Sequence, residues 1–247
     1  MRERLLSSVD ETSALGSLRG RGVNYDPAAA PGGRPDGHWH IDAETVVVGQ
    51  EAAGDPAAGG PWEMACQLVA QYEFTDGRIV RAVYRPAEAL LGRDMLLEGR
   101  FGPLRFYLGV RVTGVTDETR DGGRGAERVW GWSYQTLDGH LEQGRLSYEV
   151  IKNLASGQVA FRVSGYSRRA PIPSVVVRLG FMVFGRWTQR RFYQSVQRRL
   201  LALVQAGQRG TPLPRPDVRA DGLAIAPAGA GRHPLEGLAA GRLHPGR

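Results

Sequence analysis

His140 and Glu142, two positions apart, carry the side chains that proton-transfer chemistry uses. An imidazole changes charge near neutral pH and a nearby carboxylate can orient it, so the pair could act as an acid/base couple at a pocket mouth. Both follow an Asp138-Gly139 turn signal, so they could equally pin a hairpin loop through backbone hydrogen bonds or pair with Arg168. A second group of candidates is aromatic. Trp130, Trp132, Tyr134 and Thr136 alternate with Val129, Gly131, Ser133 and Gln135; Tyr148 is in phase with Leu146 and Val150, and Ser167 with Val159, Phe161 and Val163. Successive strand residues point to opposite faces, so the tips of Tyr134, Tyr148 and Ser167 would project into an otherwise apolar interior, the lining of a small-molecule pocket. The competing reading is plain aromatic core whose hydroxyls are satisfied by backbone.

Other chemistries find little support. Cys66 is the lone cysteine, which excludes an intrachain disulfide and a cysteine-based metal cluster. The five histidines are His38, His40, His140, His233 and His244, and no spacing among them supplies a third ligand to His38-x-His40. No P-loop, dinucleotide fingerprint or Gly-x-Ser-x-Gly elbow is present, so the sequence implies no metal and no cofactor.

The 247 residues carry 32 Lys+Arg against 25 Asp+Glu, a net +7, and Lys152 is the single lysine. So complete an arginine skew points to a GC-rich genome before it points to nucleic acid. Arg178, Arg186, Arg190, Arg191, Arg198 and Arg199 read as a solvated helix face, or as partners of Glu98, Glu142 and Glu149, in preference to a phosphate-binding stripe. The first 18 residues lack the apolar core of a signal peptide, and no window reaches the ~18 apolar residues of a membrane span. A cytoplasmic setting is the default expectation.

The elements that must hold these residues are α+β. Pro61–Phe74 begins with Pro at a first-turn position and spaces Trp62, Cys66, Val69 and Tyr72 as one helical stripe. From Ile79 the period changes to two, clearest over Leu104–Val112, and Asp121-Gly122-Gly123, Asp138-Gly139 and Ser156-Gly157 divide the runs. Short connections make this an antiparallel meander. A long helix with a stripe of Phe192, Val196, Leu200 and Leu203 follows, and the simplest packing lays it across the apolar face of a curved sheet. Residues 1–21 are expected as a flexible N-terminus, 22–206 as one domain, and 207–247 as a disordered Arg/Pro/Gly-rich tail.

One stretch is distinctive: Tyr134-x-Thr136-Leu137-x-Gly139-His140-x-Glu142-x-Gly144, followed by Ser167-Arg168, then Gln189-Arg190-Arg191-Phe192, and preceded by Gly22-x-Asn24-Tyr25. Over about Gly22–Leu203 the chain resembles the bacterial and plant family known as domain of unknown function 1990. The resemblance implies an architecture of the helix-grip type, like START and Bet v 1 proteins, and no particular activity. The extra sequence from His38 to Phe74 and the tail inherit nothing from it.

Three functions remain in view. The first is a binder of a small apolar or aromatic molecule, lined by Trp130, Trp132, Tyr134, Tyr148 and Ser167, with His140, Glu142 and Arg168 near the mouth. The second is a cyclase, dehydratase or hydrolase in the same pocket, with His140 and Glu142 moving protons. The third is a structural or interaction module without a ligand.

Overall fold

Glycines at the turn signals do what the sequence requires of them. Gly123, Gly139 and Gly157 have φ of 74°, 88° and 75°, a left-handed backbone in which a Cβ would clash. In a computed structural model describing residues 9–31, 39–101, 104–170, 175–230 and 241–243, these turns join β4 (Leu104–Asp121), β5 (Ala126–Thr136), β6 (Glu142–Asn153) and β7 (Gln158–Arg169). The remaining elements are α1 (Glu11–Gly16), β1 (His40–Gln50), α2 (Pro61–Ala70), β2 (Val80–Tyr84), β3 (Asp94–Phe101), α3 (Val175–Gln208), β8 (Asp217–Val218), β9 (Ala224–Ala226) and β10 (Gly241–Leu243). The strands form one sheet in the order β1-β7-β6-β5-β4-β3-β2-β9-β8, antiparallel throughout this path, with β10 added parallel to β4. Register shifts at Val47/Gly49 and Val112/Gly114 mark bulges, which bend strands and curve the sheet.

The concave face holds the main core. Ala82, Met95, Val110, Val112, Trp132, Tyr148, Val150, Phe161 and Val163 are buried on it. The second half of α3 covers them with Tyr193, Val196, Leu200 and Val204, and α2 with Ala65, Leu68 and Val69. This is the expected α+β arrangement of a curved sheet around a C-terminal helix. α2 is shorter than its sequence pattern suggests. It stops at Ala70 because Tyr72 takes a φ of 62°, and its buried stripe is Ala65, Leu68 and Val69, leaving Trp62 and Cys66 half-buried. Burial pushes the Cys66 thiol pKa up, which keeps it protonated and inert.

Both termini depart from expectation. Within residues 9–21, Glu11–Gly16 form α1, capped by Asp10, whose carboxylate accepts from the N–H groups of Thr12 and Ser13. Ala14, Leu15 and Leu18 pack on the convex face against Val83, Leu96, Tyr107 and Leu137. Leu223 and Ile225, from the region expected as a tail, complete this second core, and β9 pairs with β2. Underneath, Arg81 is fully buried between Glu98 and Glu11, and Arg219 reaches Glu11 at 2.6 Å. A few apolar residues and one buried ionic cluster therefore dock a stretch whose overall composition reads as disordered. Residues 1–8, 231–240 and 244–247 lie outside the described residues.

The lone lysine is also internal. Lys152 Nζ donates to Glu51 Oε2 at 2.6 Å and to the Asp55 carbonyl at 2.7 Å. Glu51 further accepts the N–H of Trp62 at 2.8 Å and of Ala57 at 3.1 Å, so one carboxylate caps α2 and fixes the Pro/Gly-rich 55–61 loop. Burial alone would raise the Glu51 pKa, but these donors hold it below its ordinary value. Sheet glutamates expected to meet α3 arginines are satisfied elsewhere. Glu98 pairs with Arg81, Arg100 and Arg105, and Glu149 with Arg120 and Arg162, while Arg199 of α3 donates to the Glu73 carbonyl.

Candidate functional site

The concave face has two ends with different contents. At one end Tyr72 and Phe74, just after α2, close over the aromatic wall. Phe74 lies 4.7 Å from Tyr148 and 5.5 Å from Phe161 between ring centroids, and Trp132 lies 5.0 Å from Tyr148. Trp132 Nε1 donates to the Val69 carbonyl at 3.1 Å. The hydroxyls of Tyr72 and Tyr148 are buried without a partner at hydrogen-bonding geometry, although those of Tyr72, Tyr134 and Tyr148 lie close enough to interact electrostatically. Burial raises the pKa of all three phenols and keeps them neutral. Trp130 extends the same wall, half-buried and opposite Val150. Trp132 and Tyr148 thus come together, in a part of the face where both side chains are buried beneath Tyr72 and Phe74.

The other end runs from Tyr134 and Leu146 towards Glu142, Gly144, Gly165 and Ser167. Register sets Tyr134 opposite Leu146, Leu146 opposite Gly165, Gly144 opposite Ser167, and Ser167 opposite His40. Gly144 and Gly165 have no side chain to lay over this floor, and a Cβ on either would collide with the neighbouring strand's backbone. α3 follows β7 in the chain and runs against β1; the side chains of 175–190 lie outside the described residues.

Glu142 shares the concave phase of Leu146, Tyr148 and Val150. Its half-buried carboxyl has no hydrogen bond or ion pair among the described residues. Burial, and secondarily the Asp42 charge, push its pKa up to about 7, with Arg169 opposing. Tyr134 feels the Glu142 charge in turn. A carboxyl that exchanges its proton near neutrality, beside a phenol, can donate to or accept from a polar atom of a bound molecule.

His140 does not join it. Its Nδ1 accepts the Glu142 N–H at 2.9 Å, which pins the turn between β5 and β6, the structural alternative recognised in the sequence. Arg168 is also displaced from its expected place. As the neighbour of Ser167 it must point to the opposite, convex face, where its guanidinium stacks 4.4 Å from the Trp39 ring and its Nε donates to Gln143 at 2.7 Å.

Arg168 belongs to a network that explains most of the distinctive motif. Asn24 donates to the Glu142 carbonyl at 2.9 Å and accepts from Thr136 Oγ1 at 2.7 Å. Gln143 donates to the Asn24 carbonyl, and Gln135 to the Tyr25 hydroxyl at 2.8 Å. Tyr25, Trp39 and Tyr166 meet edge to face. Gln135, Thr136, Gln143 and Arg168 of the motif therefore fasten residues 24–25 across β5, β6 and β7, while Tyr134 and Glu142 point inward. Phase along the strands does not by itself separate the two sets, since Thr136 has the parity of Tyr134 and still bonds Asn24. Tyr72 and Phe74, which seal the aromatic end, were not recognisable because they lie beyond a helix end that only a positive φ creates.

Among the described residues no cluster of His, Cys, Asp or Glu could hold a metal, and no helix is long and apolar enough to cross a membrane.

A curved antiparallel sheet gripping a long C-terminal helix, with an inward carboxyl and phenol at one end, defines a helix-grip protein. Residues 24–199 match the family described as domain of unknown function (DUF1990), and the chain belongs to that family. No curated protein matches it. Similar solved structures include the Zhui aromatase/cyclase from Streptomyces sp. R1128, at 13% identity and a TM-score of 0.44, covering 75% of this chain and 99% of that one. A norcoclaurine synthase point mutant from Thalictrum flavum matches at 10% identity and a TM-score of 0.44, covering 69% and 96%. Ara h 8.0201 matches at 11% and 0.39, covering 68% and 99%.

Proposed function

We propose that the protein binds a small, largely apolar molecule between the concave face and the first half of α3, with one polar atom of the ligand meeting Glu142 and Tyr134. The observation that carries this reading is the Glu142 carboxyl, half-buried on an apolar face with no partner among the described residues. A folded chain keeps such a group at a cost in stability, and a ligand hydrogen bond offsets that cost. Trp130, Trp132 and Tyr148 form the wall behind the site, Ser167 borders it, and Arg168 serves the convex face.

A second reading has its own support. The near-neutral pKa of Glu142 suits a general acid or base, so the same pocket could host a cyclase, dehydratase or hydrolase in which Glu142 moves the proton and Tyr134 steers a carbonyl.

Native mass spectrometry of protein purified from its own host tests the proposal, together with titration of the neutral apolar probe N-phenyl-1-naphthylamine. A co-purifying small molecule, or one-site probe binding that Ser167→Trp weakens about tenfold while Tyr148→Phe leaves it intact, is the expected result. An empty protein that also ignores the probe sinks the reading. A substrate and its product bound together would favour the enzymatic version.

A further inference from the structure

We propose that the polar atom of the concave-site ligand is a hydrogen-bond acceptor, a carbonyl oxygen, and that the Tyr134 hydroxyl donates to it. This rests on the reading of the concave face as a binding site, and it narrows the ligand to an apolar carbonyl compound.

The phenols at the centre of this face hold more protons than they can place. The ring centroids of Tyr72 and Tyr134 lie 6.4 and 6.1 Å from that of Tyr148. Tyr72 and Tyr148 are 1% and 0% exposed, and their hydroxyls have no partner at hydrogen-bonding geometry. No acceptor among the described residues bonds the Tyr134 hydroxyl either. Burial keeps all three phenols protonated, so each has one O–H to donate. Tyr148 stands between the other two, and bonded in a chain through it the three would still leave one O–H without an acceptor. Buried polar groups without partners are uncommon in folded proteins, and an acceptor from outside the trio satisfies the surplus.

Tyr134 is the member that can meet such an acceptor. It is the least covered of the three, at 9% exposure, and it borders the Glu142 end, where it pairs with Leu146 and feels the Glu142 charge. Neighbouring donors are already placed: Trp132 Nε1 on the Val69 carbonyl and the Tyr84 hydroxyl on the Gln71 carbonyl at 2.9 Å. Glu142 in its protonated form adds a second O–H on the same side. An amine would bring further donors to a place short of acceptors. A carbonyl oxygen, with two lone pairs, can take both O–H groups.

Displacement of N-phenyl-1-naphthylamine by probes of one shape tests this: 2-acetonaphthone with an acceptor, 2-ethylnaphthalene with no polar group, and 2-(aminomethyl)naphthalene with a cationic donor. The affinity ratio of ketone to hydrocarbon should fall about fivefold to tenfold in Tyr134→Phe, the loss of one neutral hydrogen bond, with the hydrocarbon itself unchanged. The infrared carbonyl band of the bound ketone should lie lower in the wild-type complex than in Tyr134→Phe. If that variant misfolds, seen as a lost near-ultraviolet circular dichroism signal, the wild-type band decides, and a frequency equal to that in a hydrocarbon solvent overturns the proposal. So does an unchanged ratio in Tyr134→Phe, or an amine that binds more tightly than the ketone and is weakened by Glu142→Gln. Failure of every probe, N-phenyl-1-naphthylamine included, instead removes the concave site itself.

Discussion

Glu142→Gln removes a charge that the fold resists while keeping the side chain's shape. The carboxyl is lifted from 4.5 to about 7, by burial first and by Asp42 second. Between those values the folded chain binds more protons than the unfolded chain, so stability at this residue is highest below 4.5 and falls as pH rises to about 7. At ~1.4 kcal/mol per pH unit the interval corresponds to at most about 3.4 kcal/mol. Partial access of water to the side chain roughly halves this, to about 1.5–2 kcal/mol, or ~3–8 °C in Tm for a chain of this length. Calorimetric melting from about pH 4 to about pH 8 should therefore show Glu142→Gln the more stable protein at the alkaline end, with the two curves meeting at the acid end. A saturating ligand that bonds the carboxyl should narrow the alkaline gap. Parallel curves over the whole range would mean an ordinary, solvated Glu142, and the argument for a ligand contact there would fail.

Two further perturbations test the frame of the site. Glu51→Ala leaves Lys152 buried without its counter-ion and removes the cap of α2, so a loss of about 3–5 kcal/mol is expected in urea denaturation. Glu51→Gln combined with Lys152→Met should restore much of that loss, and a double variant no better than the single one would contradict the account. His140→Ala should lower Tm by ~2–4 °C, for about 1 kcal/mol of turn-pinning hydrogen bond, without altering probe affinity or its pH dependence. A changed pH profile would return His140 to the chemistry.

The meander, its turns and the gripping helix were legible in the sequence because they depend on local regularities: alternation along β4–β7, glycines at left-handed turns and a helical stripe ending in α3. Arg168, expected beside Glu142 at a pocket mouth, is by residue parity out of phase with Ser167, and the pairing of β6 with β7 sends its guanidinium to the convex face. Membership of a known family was likewise readable in a motif that turns out to be largely structural, stapling Asn24 and Tyr25 across three strands.

What the sequence could not decide is what covers each face. Trp132 and Tyr148 look the same in sequence whether they line an open pocket or lie beneath Tyr72 and Phe74, because burial is set by residues far away in the chain. Neither could composition foresee that α1 docks on the convex face and that β8 and β9 extend the sheet beside β2, so that Arg81, Glu11, Glu98 and Arg219 meet from four separate parts of the chain. Phase along a strand is a property of neighbours and is written locally. The charge balance at Glu142, at Lys152 and around Arg81 is set by groups that only the tertiary fold brings within a few ångströms.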